Sequence, residues 1–180
     1  MKNFLKKLKP HLGFLVIILV CGLAVSTPFF SRKLIQGSDF YFNQARIKST
    51  ASALADGQIV PQLDSNAFGG FGHSWNLFYG PLPTYFGGFL RLLTGDWNLA
   101  INLMSIILIV SSGFSMYWAS VTISKNKRIA IISALLYMLA SPIIVTVFRT
   151  NNQSRMFVTA FMPLIFGGMW RIFNRQKGGI

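Results

Sequence analysis

Long apolar runs at residues 11–30, 98–123, 129–148 and 156–173 alternate with short polar breaks and one long mixed stretch at 31–97. Each run has about the length an α-helix needs to cross a hydrocarbon core of roughly 30 Å. The pattern predicts an all-α integral membrane protein with about four transmembrane helices. Residues 1–10 then form a basic head, 124–128 a hairpin, 149–155 a short loop and 174–180 a tail. The first run also has the basic start and apolar middle of a signal peptide. Its apolar part is too long for that, and Val25-Ser26-Thr27-Pro28 makes a poor cleavage site because proline follows directly. An uncleaved first span is expected.

The mixed stretch is where the periodicity changes. Ser38 is placed as an N-cap and Gly57 as a stop, which predicts a helix over 39–56. Asp39, Asn43, Arg46 and Thr50 recur at spacings of three or four and share one face, with Ile47, Ala51 and Leu54 beside it. This reads as an amphipathic surface helix. A second helical segment at 78–93 carries two prolines, two adjacent glycines and Arg91. It is expected to lie in the interface or re-enter rather than cross. These two segments are the juxtamembrane helices of the first extracytoplasmic loop.

Composition supports a membrane chain: 52% of residues are hydrophobic and the mean hydropathy is +0.50. With 17 basic and 4 acidic residues the net charge is +13, yet the lysines cluster at the ends of the apolar runs. That distribution sets topology and argues against a nucleic-acid partner. It puts the N-terminus, Lys125–Arg128 and the 174–180 tail in the cytoplasm. Arg32, Lys33, Arg46, Lys48, Arg91, Arg149 and Arg155 fall on the outer side and need another explanation. The single cysteine, Cys21, excludes an internal disulfide.

The candidate chemistry lies between Gly37 and Tyr85, which holds Asp39, Asp56 and Asp64 and many aromatic residues. Asp39 at a helix start is stabilised by about 0.3–1 kcal/mol whatever its role. The aromatic stretch from Phe68 to Trp75 and Tyr79-Gly80-Pro81-Leu82-Pro83 suits the headgroup layer or stacking on a ligand, and includes His73 and Tyr79. No His, Cys and carboxylate set has metal-site spacing, and there is no phosphate-binding glycine loop or nucleophile elbow. No metal and no cofactor is expected. Asn102, Ser105, Ser111, Ser112 and Ser115 read as helix–helix contacts, and Pro142 and Pro163 as local kinks.

A first span, Gly37-Ser38-Asp39, Arg46 seven residues beyond the aspartate, Leu54, Gly57 and Pro61, a glycine-rich aromatic stretch and Tyr79-Gly80-Pro81-Leu82-Pro83 follow in order. This order resembles the start of a GT-C-type membrane glycosyltransferase. More narrowly it is similar to the bacterial YfhO-like multispan proteins, some of whose relatives are labelled 6-pyruvoyl-tetrahydropterin-synthase-related. That label implies zinc and pterin chemistry for which this chain has no ligand set. The resemblance covers 12–173.

What it implies is transfer of a sugar from a polyprenyl-phosphate donor to an extracytoplasmic acceptor, a cell-wall polymer or glycolipid, at the bacterial cell membrane. Asp39 matches the place of the family's catalytic or acceptor-positioning aspartate. Arg149 and Arg155 are expected to hold the donor phosphate, and Arg46, His73 and Tyr79 to contribute to substrate binding. The chain departs from the pattern in lacking an acidic residue at 149–155. It is also short, so the resemblance implies an N-terminal fragment, with a C-terminal half or partner subunit elsewhere. Beside this stand a non-enzymatic scaffold or lipid-interacting protein, and behind both a transporter module. The last is weakened because the runs after residue 97 contain only Arg171, near an end.

Overall fold

A computed structural model describes residues 9–31, 33–60, 63, 64 and 67–175. Most of the basic head, Arg32, Pro61 and most of the 174–180 tail lie outside the described residues. The regular structure of the described chain is helical, apart from one isolated antiparallel bridge between Asp64 and His73. Its main helices are α1 (Leu12–Val25), α2 (Phe40–Ala55), α3 (Leu82–Thr94), α4 (Trp97–Ser124), α5 (Lys127–Met138) and α6 (Gln153–Phe173). Among the described residues three helical stretches are long and apolar enough to cross a membrane: Trp97–Ser124, Lys127–Thr150 and Gln153–Phe173.

The first apolar run differs from expectation. Its helix, counted with the preceding turn, is Lys9–Val25 and falls short of the others. Pro28 cannot continue the backbone ladder, and Thr27–Ser31 tightens into a 3-10 turn. The third run is also interrupted. α5 ends at Met138, a single turn covers Ser141–Ile144, and one turn of π-helix covers Val145–Thr150. Pro142 accounts for the break, whereas Pro163 sits within an uninterrupted α6.

The chain folds as two compact units. One contains residues 1–28, 106–144 and 158–180. Its core is Ile18, Tyr117, Ala130, Ala134 and Met138, with Phe14, Leu15 and Phe114 packed against it. Small residues set the helix spacing. A methyl at Gly113 would meet Met138 and Ile18, and one at Gly22 would meet Val110. The Tyr137 hydroxyl donates to the Thr159 carbonyl at 2.7 Å, and Ser115 donates to the Ala160 carbonyl. Of the serines expected at helix contacts, Ser112 instead bonds back to Ile109 O within its own helix.

The other unit contains residues 29–105 and 145–157. Here α2 packs on α3 through a glycine pair. A methyl at Gly87 would stand 2.9 Å from Ile47 Cγ2, and one at Gly88 would stand 3.4 Å from the Ala51 backbone nitrogen. Ile47, Ala51 and Leu90 are buried in that contact. Gly95 adopts a left-handed φ of 68° and ends α3. Asn102 donates to the carbonyls of Phe29 and Lys33 at 3.1 and 3.2 Å, tying the 29–33 segment to the start of α4. Ser105 bonds back to Ile101 O.

Candidate functional site

The site begins with a close backbone approach. Gly37 lies against the Arg149–Thr150 peptides, and a methyl there would come 2.6 Å from the Arg149 carbonyl oxygen. Only glycine fits. The Asp39 N–H then donates to the Thr150 carbonyl at 3.0 Å. The buried Asn151, at a left-handed φ of 47°, donates its side chain to Ile35 O. The 35–39 segment is thereby clamped to 150–152.

The clamp delivers Asp39 to the N-cap position of α2, one residue later than the expected cap, Ser38. Its carboxylate makes no capping bond to the helix. Oδ2 accepts from Asn152 Nδ2 at 2.8 Å, and Oδ1 accepts from the Ser38 hydroxyl at 3.1 Å. Asn152 has a second task. Its Oδ1 accepts the Arg155 N–H at 2.8 Å and caps α6. With the amide oxygen committed to the cap, the amide NH₂ is the group presented to Asp39, which fixes the assignment of the two atoms. The carboxylate is partly exposed and keeps lone pairs for a third partner.

The polar face of α2 is not a solvated surface. Asn43, Arg46 and Thr50 are buried, at 2%, 1% and 0% exposure, while Tyr41, Ala45, Lys48, Ser52 and Ala55 are exposed, so α2 is a surface helix whose polar face turns inward. The face turns inward because each group finds a partner. Asn43 Nδ2 donates to Asp39 O at 2.9 Å, and its Oδ1 accepts from Ser154 at 3.0 Å. Arg46 donates to the Ser154 hydroxyl at 3.2 Å and to Gly80 O at 3.3 Å. Thr50 Oγ1 accepts from Asn76, which in turn accepts from Thr84.

Arg46 therefore does not pair with Asp39. Its guanidinium lies 4.7 Å from the Tyr79 ring centroid and 5.6 Å from that of Phe42. Burial pushes its pKa below the ordinary arginine value, and Tyr79 opposes that shift. The group stays cationic, since arginine titrates far above neutrality. Its Nε is buried without a hydrogen-bond partner among the described residues. Arg46 thus joins α2 to the Tyr79-Gly80 turn and to α6.

Tyr79 is about half exposed, and its ring meets Phe42 at 5.2 Å. His73 belongs to a different group of rings. It stacks on Trp75 at 3.8 Å and also meets Phe68 and Phe78. Phe42 touches both groups, because it packs edge-on against Trp75 as well. Arg149 and Arg155 stand at the two ends of the 149–155 clamp segment and are exposed. The structure thus joins Asp39 to this segment, joins Arg46 to Tyr79, and leaves His73 with Trp75. Among the described residues no group of three or more His, Cys or carboxylate side chains converges as a metal site.

Asn152 and Ser154 were not among the candidates drawn from the sequence. A signal for Asn152 was present: an asparagine placed just before an apolar helical run is a capping pattern. Nothing local marks Ser154. Its role arises from contacts across more than 100 positions of the chain.

Comparison with known proteins finds no matching family model and no matching solved structure. It finds similarity to an uncharacterized protein of Lactococcus lactis subsp. cremoris, 35% identical over 173 residues. The match covers 94% of this chain and 28% of that protein, so the chain spans little more than a quarter of the relative's length.

Proposed function

We propose that this chain is the N-terminal part of a GT-C-type, YfhO-like bacterial membrane glycosyltransferase. It moves a sugar from a polyprenyl-phosphate donor to an extracytoplasmic cell-wall polymer or glycolipid, together with a C-terminal half or partner subunit. The observation that carries this reading is the partly exposed Asp39 carboxylate, oriented by an Asn152 amide whose other end caps α6.

In this mechanism Asp39 accepts the proton of the acceptor hydroxyl. The hydroxyl oxygen attacks the anomeric carbon, the bond from that carbon to the phosphate oxygen breaks, and the polyprenyl phosphate leaves with the electron pair. Arg149 and Arg155 hold the donor phosphate with forked hydrogen bonds. Asn152 holds the carboxylate in place and supplies no proton.

The test measures sugar incorporation from a polyprenyl-phosphate sugar by membranes containing the full protein. Asp39→Asn is expected to lower turnover about a hundredfold or more, the usual worth of a positioned base. Arg149→Gln with Arg155→Gln is expected to raise KM for the donor more than it lowers kcat. Unchanged turnover in Asp39→Asn would sink the assignment.

A further inference from the structure

A cleft of about 480 Å³ lies on the flank of α2 away from the buried polar face, within the same unit as Asp39. The reason it exists is legible in the residues. Ala45, Ser49, Ser52 and Ala53 recur along one side of α2, and their small side chains leave a trough. The opposite wall is Leu63, Asp64 and Ala67, beside the Asp64–His73 bridge with its paired backbone bonds of 2.8 and 3.0 Å. Phe68 and, just beyond the bridge, Trp75 line the cleft as well. Phe68 is held at a left-handed φ of 52°, unusual for a bulky residue, and its ring lies 5.8 Å from Trp75. His73 stacks on Trp75 and stiffens it as a platform.

The rim chemistry narrows the occupant. Asp56 and Asp64 sit among the lining residues with Lys48 and Gln58, so a purely apolar ligand is poorly matched. Two acids against one lysine disfavour a phosphate or nucleotide. Aromatic faces, short hydroxyls and carboxylates together suit a flat-faced ring edged with hydroxyl groups. The volume falls in the range of small-molecule pockets.

We propose that this cleft binds an uncharged sugar unit. The ring's C–H face stacks on the Trp75 and Phe68 side, and its hydroxyls bond to Ser49, Ser52 and Asp56. The proposal does not rest on Asp39 acting as a base.

The experiment is saturation-transfer NMR on the full chain in nanodiscs. The probes are the methyl glycosides of glucose, galactose, N-acetylglucosamine and rhamnose, at up to about 20 mM, where weak single-unit binding registers. Saturable binding of at least one is expected. Trp75→Ala and Asp56→Asn should weaken it about tenfold. Ser52→Phe, which fills the trough from an exposed position, should abolish it while leaving the fold intact. Asp39→Asn should leave it unchanged, so failure here is separable from failure of the transferase reading. No saturable signal from any probe would overturn the proposal. So would binding that survives both Ser52→Phe and Asp56→Asn, or binding lost only in Asp39→Asn.

Discussion

The unit built on α1 and α5 and the unit built on α2 and α3 bury their interiors in opposite ways. In the first, the core is apolar and its helices approach at Gly22 and Gly113. Its buried polar side chains are serines, and Ser112 simply bonds back to its own helix. In the second, Asn43, Arg46, Thr50, Thr84, Asn102, Thr146, Asn151 and Gln153 are all buried. Apolar packing tolerates many near-equivalent arrangements of similar volume. A buried polar network does not, because each misplaced group loses a partner in a medium where that loss is expensive. The first unit is suited to sit in lipid. The second is suited to hold one carboxylate in one orientation.

Substitutions can break this contrast, and their effects should fall in order. Gly37→Ala should be the most damaging, destabilising by about 3 kcal/mol or more, because its methyl meets backbone that cannot swing aside. Hydrogen exchange should show lost protection at 35–43 and 149–155 with the 127–138 helix unaffected. Arg46→Ala follows at about 2–3 kcal/mol. It leaves the Gly80 carbonyl without its guanidinium donor and opens a void beside Tyr79. Gly113→Val tests the other unit and should destabilise by about 1–2 kcal/mol, since the unbranched Met138 side chain yields in part while the β-branched Ile18 does not. Ser112→Ala should shift stability by no more than about 0.5 kcal/mol, readable as a nearly unchanged Tm in detergent. A large effect at Ser112 with a small one at Arg46 would invert the comparison.

The sequence made the apolar unit largely legible, because runs of spanning length need no partner to be recognised. Trp97–Ser124 and Gln153–Phe173 follow the expected runs to within a few residues. The first run did not keep its full length as helix, since Pro28 stops the ladder inside what hydropathy alone would count as lipid-compatible. The polar unit was legible only in part. Periodicity placed Asp39, Asn43, Arg46 and Thr50 on one face but could not say which way that face turned. Helical polarity usually points to water. Here the partners that reverse it, Ser154, Asn76 and the Gly80 carbonyl, come from distant segments and leave no local trace. The cleft beside α2 was likewise invisible, because small residues in a helix read equally well as packing.

In the proposed transferase, Asp39 reacts and Asn152 only positions it. The most direct measurement sets Asp39→Asn beside Asn152→Ala in one assay of sugar transfer, with hydrogen exchange of 40–55 as the control for folding. Loss of the α6 cap in Asn152→Ala destabilises by about 0.5–2 kcal/mol. The prediction is that Asp39→Asn removes turnover with protection intact, while Asn152→Ala lowers kcat partially and is partly rescued by Asn152→Gln. Wild-type turnover in Asp39→Asn, with α2 equally protected, would contradict it.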